Sequence, residues 1–142
     1  MANVKPIANI LVIDDEADIV NIVKQGLQRN GFKVTAFTDP RAALDNFRQH
    51  SKEYCVVVSD IKMPHVTGFQ VVREIRGINP EVKVILMTAF EVDQEEFSKV
   101  LQSAQIDDFI KKPATVAHIK DVLLKHVGQT KQLMTTGSKE HN

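Results

Sequence analysis

The sequence predicts an α/β fold, doubly wound around one five-stranded and mainly parallel sheet, and three observations carry that prediction. Short unbroken apolar runs stand at residues 10–13, 56–58 and 84–87. They lack the alternation of a half-exposed strand and suit strands covered on both faces. Amphipathic helical patterns separate them. Strand-like and helix-like segments alternate five times along the chain, an order that calls for right-handed crossovers with helices on both faces of the sheet.

The elements follow in order. Ile10-Leu11-Val12-Ile13 is the first strand. Ile19, Ile22, Val23 and Leu27 recur at helical spacing, and Asn30-Gly31 supplies a stop. Gly26 sits inside that helix, where it costs about 1 kcal/mol relative to alanine, so close packing is expected around it. Lys33–Phe37 is a mixed second strand. Asp39-Pro40 reads as an N-cap with proline in the first turn, leading into Ala43, Leu44 and Phe47. Val56-Val57-Val58 is the third strand, with Cys55 beside it expected as a small buried hydrophobe. Gly68 precedes a third helix through Phe69, Val72, Ile75 and Arg76. Val84-Ile85-Leu86-Met87 is the fourth strand; Phe97, Val100, Leu101 and Ala104 share a fourth helical face. Asp108–Lys111 is a mixed fifth strand, and Val116, Ile119, Leu123 and Val127 mark the last helix, with Leu124 off its stripe. One domain is expected over residues 1–128. Residues 129–142 form a polar C-terminal tail that either frays or extends the last helix.

The chain has 142 residues, 43% of them hydrophobic and 25% charged, with a formal net charge of zero. No overall field draws it to nucleic acid or to anionic lipid, and no Lys/Arg run marks a local patch. A single cysteine excludes an internal disulfide, and no apolar run approaches a membrane span or a secretory leader. A cytoplasmic protein is expected. The five histidines show no metal-binding spacing and are expected at surface or helix positions.

In an open parallel sheet, ligands bind beyond the carboxyl ends of the strands. Asp14 and Asp15 follow the first strand, Asp60 the third, Thr88-Ala89 the fourth and Lys112-Pro113 the fifth. If the first and third strands are neighbours, three carboxylates converge there, and they repel one another unless a cation intervenes. Oxygen donors of that kind suit a hard ion such as Mg2+. A carboxylate is also a competent nucleophile toward phosphorus, and a hydroxyl and an ammonium stabilise a transferring phosphoryl group. Taken singly, Asp14-Asp15 equally suits a helix start, Asp60 a turn and Lys112 a solvated charge. Their shared address at one end of the sheet favours a single site.

VIDDE (12–16), SDIKMP (59–64), Gly68, MTA (87–89) and FIKKP (109–113) together resemble, in order and spacing, the receiver domain of two-component response regulators. The resemblance covers about residues 8 to 128. It implies a flavodoxin-like (βα)5 fold with strand order 2-1-3-4-5. It further implies that Asp60 is the phosphoacceptor, and that Mg2+ is held by Asp14, Asp15, Asp60 and the backbone carbonyl of Lys62. Asp15 would bind the ion directly and Asp14 through water. Thr88 would turn its hydroxyl toward the phosphoryl group, Lys112 would pair with Asp60 and then with its phosphate, and Phe109 would move inward as an aromatic switch. Lys111 would point the other way.

The implied function is a stand-alone signalling switch, a phosphoacceptor rather than an enzyme beyond its own phosphorylation and dephosphorylation. The implied donor is a histidine kinase or histidine phosphotransfer protein. The implied readout is a downstream protein partner or a homodimer through the fourth helix, fifth strand and fifth helix, with no direct nucleic-acid contact and no membrane. Lys62 and Phe90 depart from the family's commonest residues and flank the phosphoryl group, so they are expected to tune its lifetime; an apolar ring at Phe90 favours a long-lived phosphate. Gln105-Ile106 stand where the family commonly has Gly-Ala. Two other functions compete: the receiver part of a larger DNA-binding transcriptional regulator, and an aspartyl-phosphate phosphohydrolase. The hydrolase normally needs a second acid where this chain has Lys62.

Overall fold

The computed structural model describes residues 5–89 and 105–139. Phe90 and the fourth helix expected around Phe97, Val100, Leu101 and Ala104 lie outside the described residues. In chain order the elements are β1 (Asn9–Ile13), α1 (Ala17–Arg29), β2 (Lys33–Phe37), α2 (Pro40–His50), β3 (Val56–Asp60), α3 (Gly68–Ile78), β4 (Lys83–Thr88) and β5 (Asp108–Lys111), followed by a C-terminal helix at Val116–Lys139. The backbone of that helix continues well past residue 128, so most of the polar tail extends it.

The five strands form one parallel sheet in the order β2-β1-β3-β4-β5. Apolar runs without alternation make sense in this sheet, because both of its faces are covered. From β1, Ile10 and Val12 join Val58, Ile85 and Met87 beneath α1 and the C-terminal helix. Leu11 and Ile13 point the other way, joining Val57, Val84 and Leu86 beneath α2 and α3. Each of these side chains contributes roughly 1.5–3 kcal/mol by leaving water, so the central strands are the most firmly fixed part of the molecule. Residues at their carboxyl ends inherit that rigidity.

The helices start where their sequences say they should, with one device not apparent from the apolar pattern. Asp39 caps α2 by accepting the Arg41 N–H at 2.9 Å, with Pro40 in the first turn. At α3, Thr67 and Gln70 form a reciprocal capping box, Thr67 Oγ1 accepting the Gln70 N–H and Gln70 Oε1 accepting the Thr67 N–H. Gly26 has its packing reason: a Cβ there would lie 2.6 Å from Val116 Cγ1, where α1 crosses the start of the C-terminal helix.

Two expectations about burial are corrected. Ile22 is 59% exposed, whereas Val20, Val23 and Leu27 are the buried residues of α1. At 100° per residue Ile22 lies roughly 120° from the centre of that stripe, so its i+3 relation to Ile19 did not place it inside. Cys55 is exposed. It precedes β3, and only from Val56 onward does the strand lie in the covered middle of the sheet.

Gln105 acquires a physical explanation. Its φ is 57°, the left-handed region that favours glycine, which is why a glycine suits this position. The conformation is held by Arg76, whose Nε and Nη2 donate to the Gln105 carbonyl at 3.0 and 2.6 Å. The same guanidinium pairs with Asp107 at 2.9 Å and donates to the carbonyls of Pro80 and Val82. It thereby ties the end of α3 to the starts of β4 and β5.

Candidate functional site

Strand register explains how the site assembles. Ile13 lies opposite Ser59 across β1 and β3, so Asp14 and Asp60 occupy the next level up, side by side. On the other side of β3, Asp60 pairs with Met87, and Thr88 pairs with Lys111 across β4 and β5. The Lys112 N–H then donates to the Thr88 carbonyl at 2.7 Å, which fixes where the lysine leaves the sheet. The Lys112–Pro113 peptide is cis.

Lys112 Nζ lies 2.8 Å from Asp14 Oδ2 and 3.2 Å from Asp60 Oδ2, with Glu16 Oε1 at 3.7 Å. Carboxylate oxygens of Asp14, Asp15 and Asp60 all come within 4.8 Å of one another. Asp14 is fully buried, Asp60 is 7% exposed, and Asp15 faces solvent. The remaining oxygens are used locally: Asp14 Oδ1 accepts the Glu16 N–H at 3.0 Å, and Asp60 Oδ1 accepts the Ile61 N–H at 2.9 Å. Neither Asp14 nor Asp15 caps α1, whose N-cap is Glu16 without a side-chain bond; Asp14 Oδ1 closes only a local turn before the helix, while its second oxygen serves the cluster.

Within 4 Å of its Nζ, Lys112 meets carboxylate oxygens of Asp14, Glu16 and Asp60, and the titration of Lys112 and Asp60 reflects their burial and mutual charge. Burial, then the charge of Asp14, pushes the Asp60 carboxyl above the ordinary aspartate range, although Lys112 and the Ile61 N–H pull it down. Burial disfavours the Lys112 ammonium, but hydrogen bonds and charge from Asp14 and Asp60 outweigh it and raise its pKa. Carboxylate oxygens of Asp14, Asp15 and Asp60 this close together repel one another, and a hard divalent cation relieves that repulsion. The residues fit such an ion: oxygen donors only, one of them solvent-facing, on a cleft with room for water.

That cleft has a volume of about 460 Å³ and is lined by Asp15, Glu16, Asp60, Lys62, Met63, Pro64, Ala89 and Lys112. Lys62 is exposed on its wall. Thr88 is 2% exposed at the end of β4, and Phe109 is 36% exposed on β5. Lys111 is exposed, on the opposite side of the strand from buried Ile110. Asp14, Asp15, Asp60, Lys62 and Lys112 are thus brought together, Thr88 borders them, and Phe109 stands apart on the edge strand. Phe90 lies outside the described residues.

The sequence profile of the response regulator receiver domain matches residues 10–124. The chain belongs to this family. Among curated relatives, the receiver domain is 31% identical over 105 residues to the response regulator SaeR of Staphylococcus aureus, a match covering 74% of this chain and 44% of SaeR. The chain thus spans less than half the length of that relative. Among solved structures, the receiver superposes on a receiver domain protein from Clostridium thermocellum with a TM-score of 0.80, at 28% identity, covering 89% of this chain and 98% of that one. With the chemotaxis protein CheY4 of Vibrio cholerae the TM-score is 0.76, at 25% identity, covering 84% and 98%. Receiver domains as a family are phosphoacceptor switches served by histidine kinases. None of the described helices in this receiver is long and apolar enough to cross a membrane.

Gly68, quoted from the sequence only as a motif residue, has a packing reason beside the site, and His126 has a partner that the sequence did not indicate. Gly68 N–H donates to the Ile61 carbonyl at 2.7 Å, and a Cβ on Gly68 would stand 2.5 Å from the Asp60 carbonyl oxygen. The glycine is required because α3 starts directly against the end of β3. His126, expected at the surface or on a helix, is on a helix but buried at 6% exposure, paired with Asp108.

Proposed function

We propose that this receiver is a phosphorylation-dependent signalling switch in which Asp60 accepts a phosphoryl group from a histidine kinase or histidine phosphotransfer protein. The observation that carries this reading is the Lys112 ammonium shared by Asp14 and Asp60 at the carboxyl ends of the strands. The Asp60 carboxylate forms a bond to phosphorus while the bond from phosphorus to the donor's imidazole nitrogen breaks, and the electron pair leaves with that nitrogen. A carboxylate whose pKa is raised is the more basic and more nucleophilic one. Lys112 balances charge on the Asp60 side and follows it onto the phosphate, and the Thr88 hydroxyl turns in to donate to a phosphoryl oxygen. Asp14, Asp15, Asp60 and the Lys62 carbonyl would hold Mg2+, which supplies neutralisation of the phosphoryl oxygens when bound. Inward movement of Phe109 then alters the face formed by β5 and its flanking helices, for a protein partner or a homodimer.

Incubation with Mg2+ and phosphoramidate, followed by intact-mass measurement, tests the reading. Wild type gains one phosphoryl group, Asp60→Ala gains none, and Asp15→Ala labels about a hundredfold more slowly. Equal labelling of Asp60→Ala would sink the proposal. For the phosphate's lifetime, Phe90→Glu is expected to speed its loss roughly tenfold by positioning water. Identical decay in the two proteins would remove Phe90 as a tuning residue, leaving Lys62.

The match to less than half of SaeR favours a second reading, in which these residues are the receiver part of a longer DNA-binding regulator. An open reading frame continuing into a DNA-binding domain would support it.

A further inference from the structure

Among the described strands, β5 lies at the edge of the sheet and pairs with β4. On its helix-facing side it is joined to the C-terminal helix by packing of Ile110 with Ile119 and Leu123 and by a polar junction at Asp108. Asp108 Oδ1 accepts the N–H of Phe109 at 2.8 Å. Its Oδ2 lies 2.9 Å from His126 Nε2 and 3.8 Å from Lys125 Nζ. One carboxylate thus holds the backbone of the proposed switch residue and a buried side chain of the helix.

Stability alone does not account for this pair. A leucine at 126 would extend the apolar stripe of Leu123 and Val127 without desolvating an imidazole, and buried polar pairs seldom stabilise more than apolar ones of similar volume. A hydrogen bond does what apolar packing cannot: it fixes one distance and one direction, so displacement of either partner is felt by the other. We infer that the Asp108–His126 pair is a transmission link that passes the rearrangement of β5 and Phe109 into the C-terminal helix. The inference rests on the reading of Asp60 as phosphoacceptor. Asp108 and His126 are positioning residues, since neither lies among the groups that line the acidic cleft. The bistable element is the edge strand, and both the phosphoryl site and the helix bias it.

The test is hydrogen–deuterium exchange of the C-terminal helix in the full chain, with and without saturating Mg2+ and phosphoramidate, with occupancy read by intact mass. In wild type, phosphorylation is expected to change helix exchange about fivefold. In His126→Leu and in Asp108→Ala that response vanishes at equal occupancy, the double variant loses no more than either single one, and His126→Gln restores part of it because its amide still donates. A merely structural pair would shift exchange equally in both states. The inference is overturned if His126→Leu keeps the wild-type response, or if fully phosphorylated wild type shows no response in the helix. Should one variant fail to fold, as seen by thermal melting, the other two carry the comparison. No mass gain in wild type would instead sink the phosphoacceptor reading, and the link would fall with it.

Discussion

Lys112→Ala is expected to destabilise the protein by about 2 kcal/mol near neutral pH, through the carboxylates it leaves behind rather than through lost packing. Asp14 is fully buried and Asp60 nearly so, and the ammonium at 2.8 and 3.2 Å is their shared counter-charge. Even with Lys112 present, burial and then Asp14 hold the Asp60 pKa above its ordinary value. A carboxyl whose folded pKa exceeds its unfolded one gives stability that is full below the unfolded pKa and is lost as pH rises through the folded one. Removing Lys112 deletes a lowering influence, raises the folded pKa further and steepens that loss. The deficit of Lys112→Ala should therefore shrink as pH falls from about 7 toward 4. Mg2+ should raise the melting temperature of the variant more than that of wild type, because the ion no longer competes with an ammonium for the same oxygens. Chemical denaturation across pH, with and without Mg2+, checks both points. A deficit that is constant with pH would mean that Lys112 acts by packing alone.

Gly68→Ala should cost roughly 2–3 kcal/mol, despite replacing glycine at a helix start with a better helix former. The added Cβ would lie 2.5 Å from the Asp60 carbonyl oxygen and 2.8 Å from Ile61 Cα, both backbone atoms that no rotamer change can move. Relief requires α3 to slide away from β3, which breaks the Gly68–Ile61 hydrogen bond and drags the loop carrying Lys62, Met63 and Pro64 along the cleft wall. Stability and Mg2+ affinity should therefore fall together, readable as a lower melting temperature and a weaker Mg2+-induced shift of it. Gly77 provides the control, since a Cβ there meets nothing within 4 Å and Gly77→Ala should stabilise α3. If Gly68→Ala behaves like Gly77→Ala, the close approach of α3 to β3 is not a constraint.

The element order and the residues of the acidic cleft were legible because they are recorded locally. A strand covered on both faces shows itself in four consecutive apolar residues, and a helix in spacing over two turns. Asp14, Asp15, Asp60, Thr88 and Lys112 each stand at a strand's carboxyl end, where the topology of a parallel sheet already says chemistry belongs. The strand order itself came through the family resemblance, since nothing in five apolar runs states which are neighbours.

Contacts that depend on those neighbours were not legible. Lys112 meets Asp14 across 98 residues of chain, and only the register of β1, β3, β4 and β5 brings the two within 2.8 Å. The Arg76 fork that holds Gln105 and Asp107 spans 29 and 31 residues, and the Asp108–His126 pair depends on which side of β5 the last helix lies. Burial at the margins behaves the same way: Ile22 and Cys55 have apolar surroundings in sequence, yet lie off the covered faces in space. By itself the sequence determined what each segment is and which reagents stand at its ends, because periodicity and turn chemistry act within a few residues. Only the tertiary structure decided which carboxylates meet Lys112, where a glycine is obligatory and which polar pair ties β5 to the last helix, because distance across a sheet is set by strand neighbours and not by sequence.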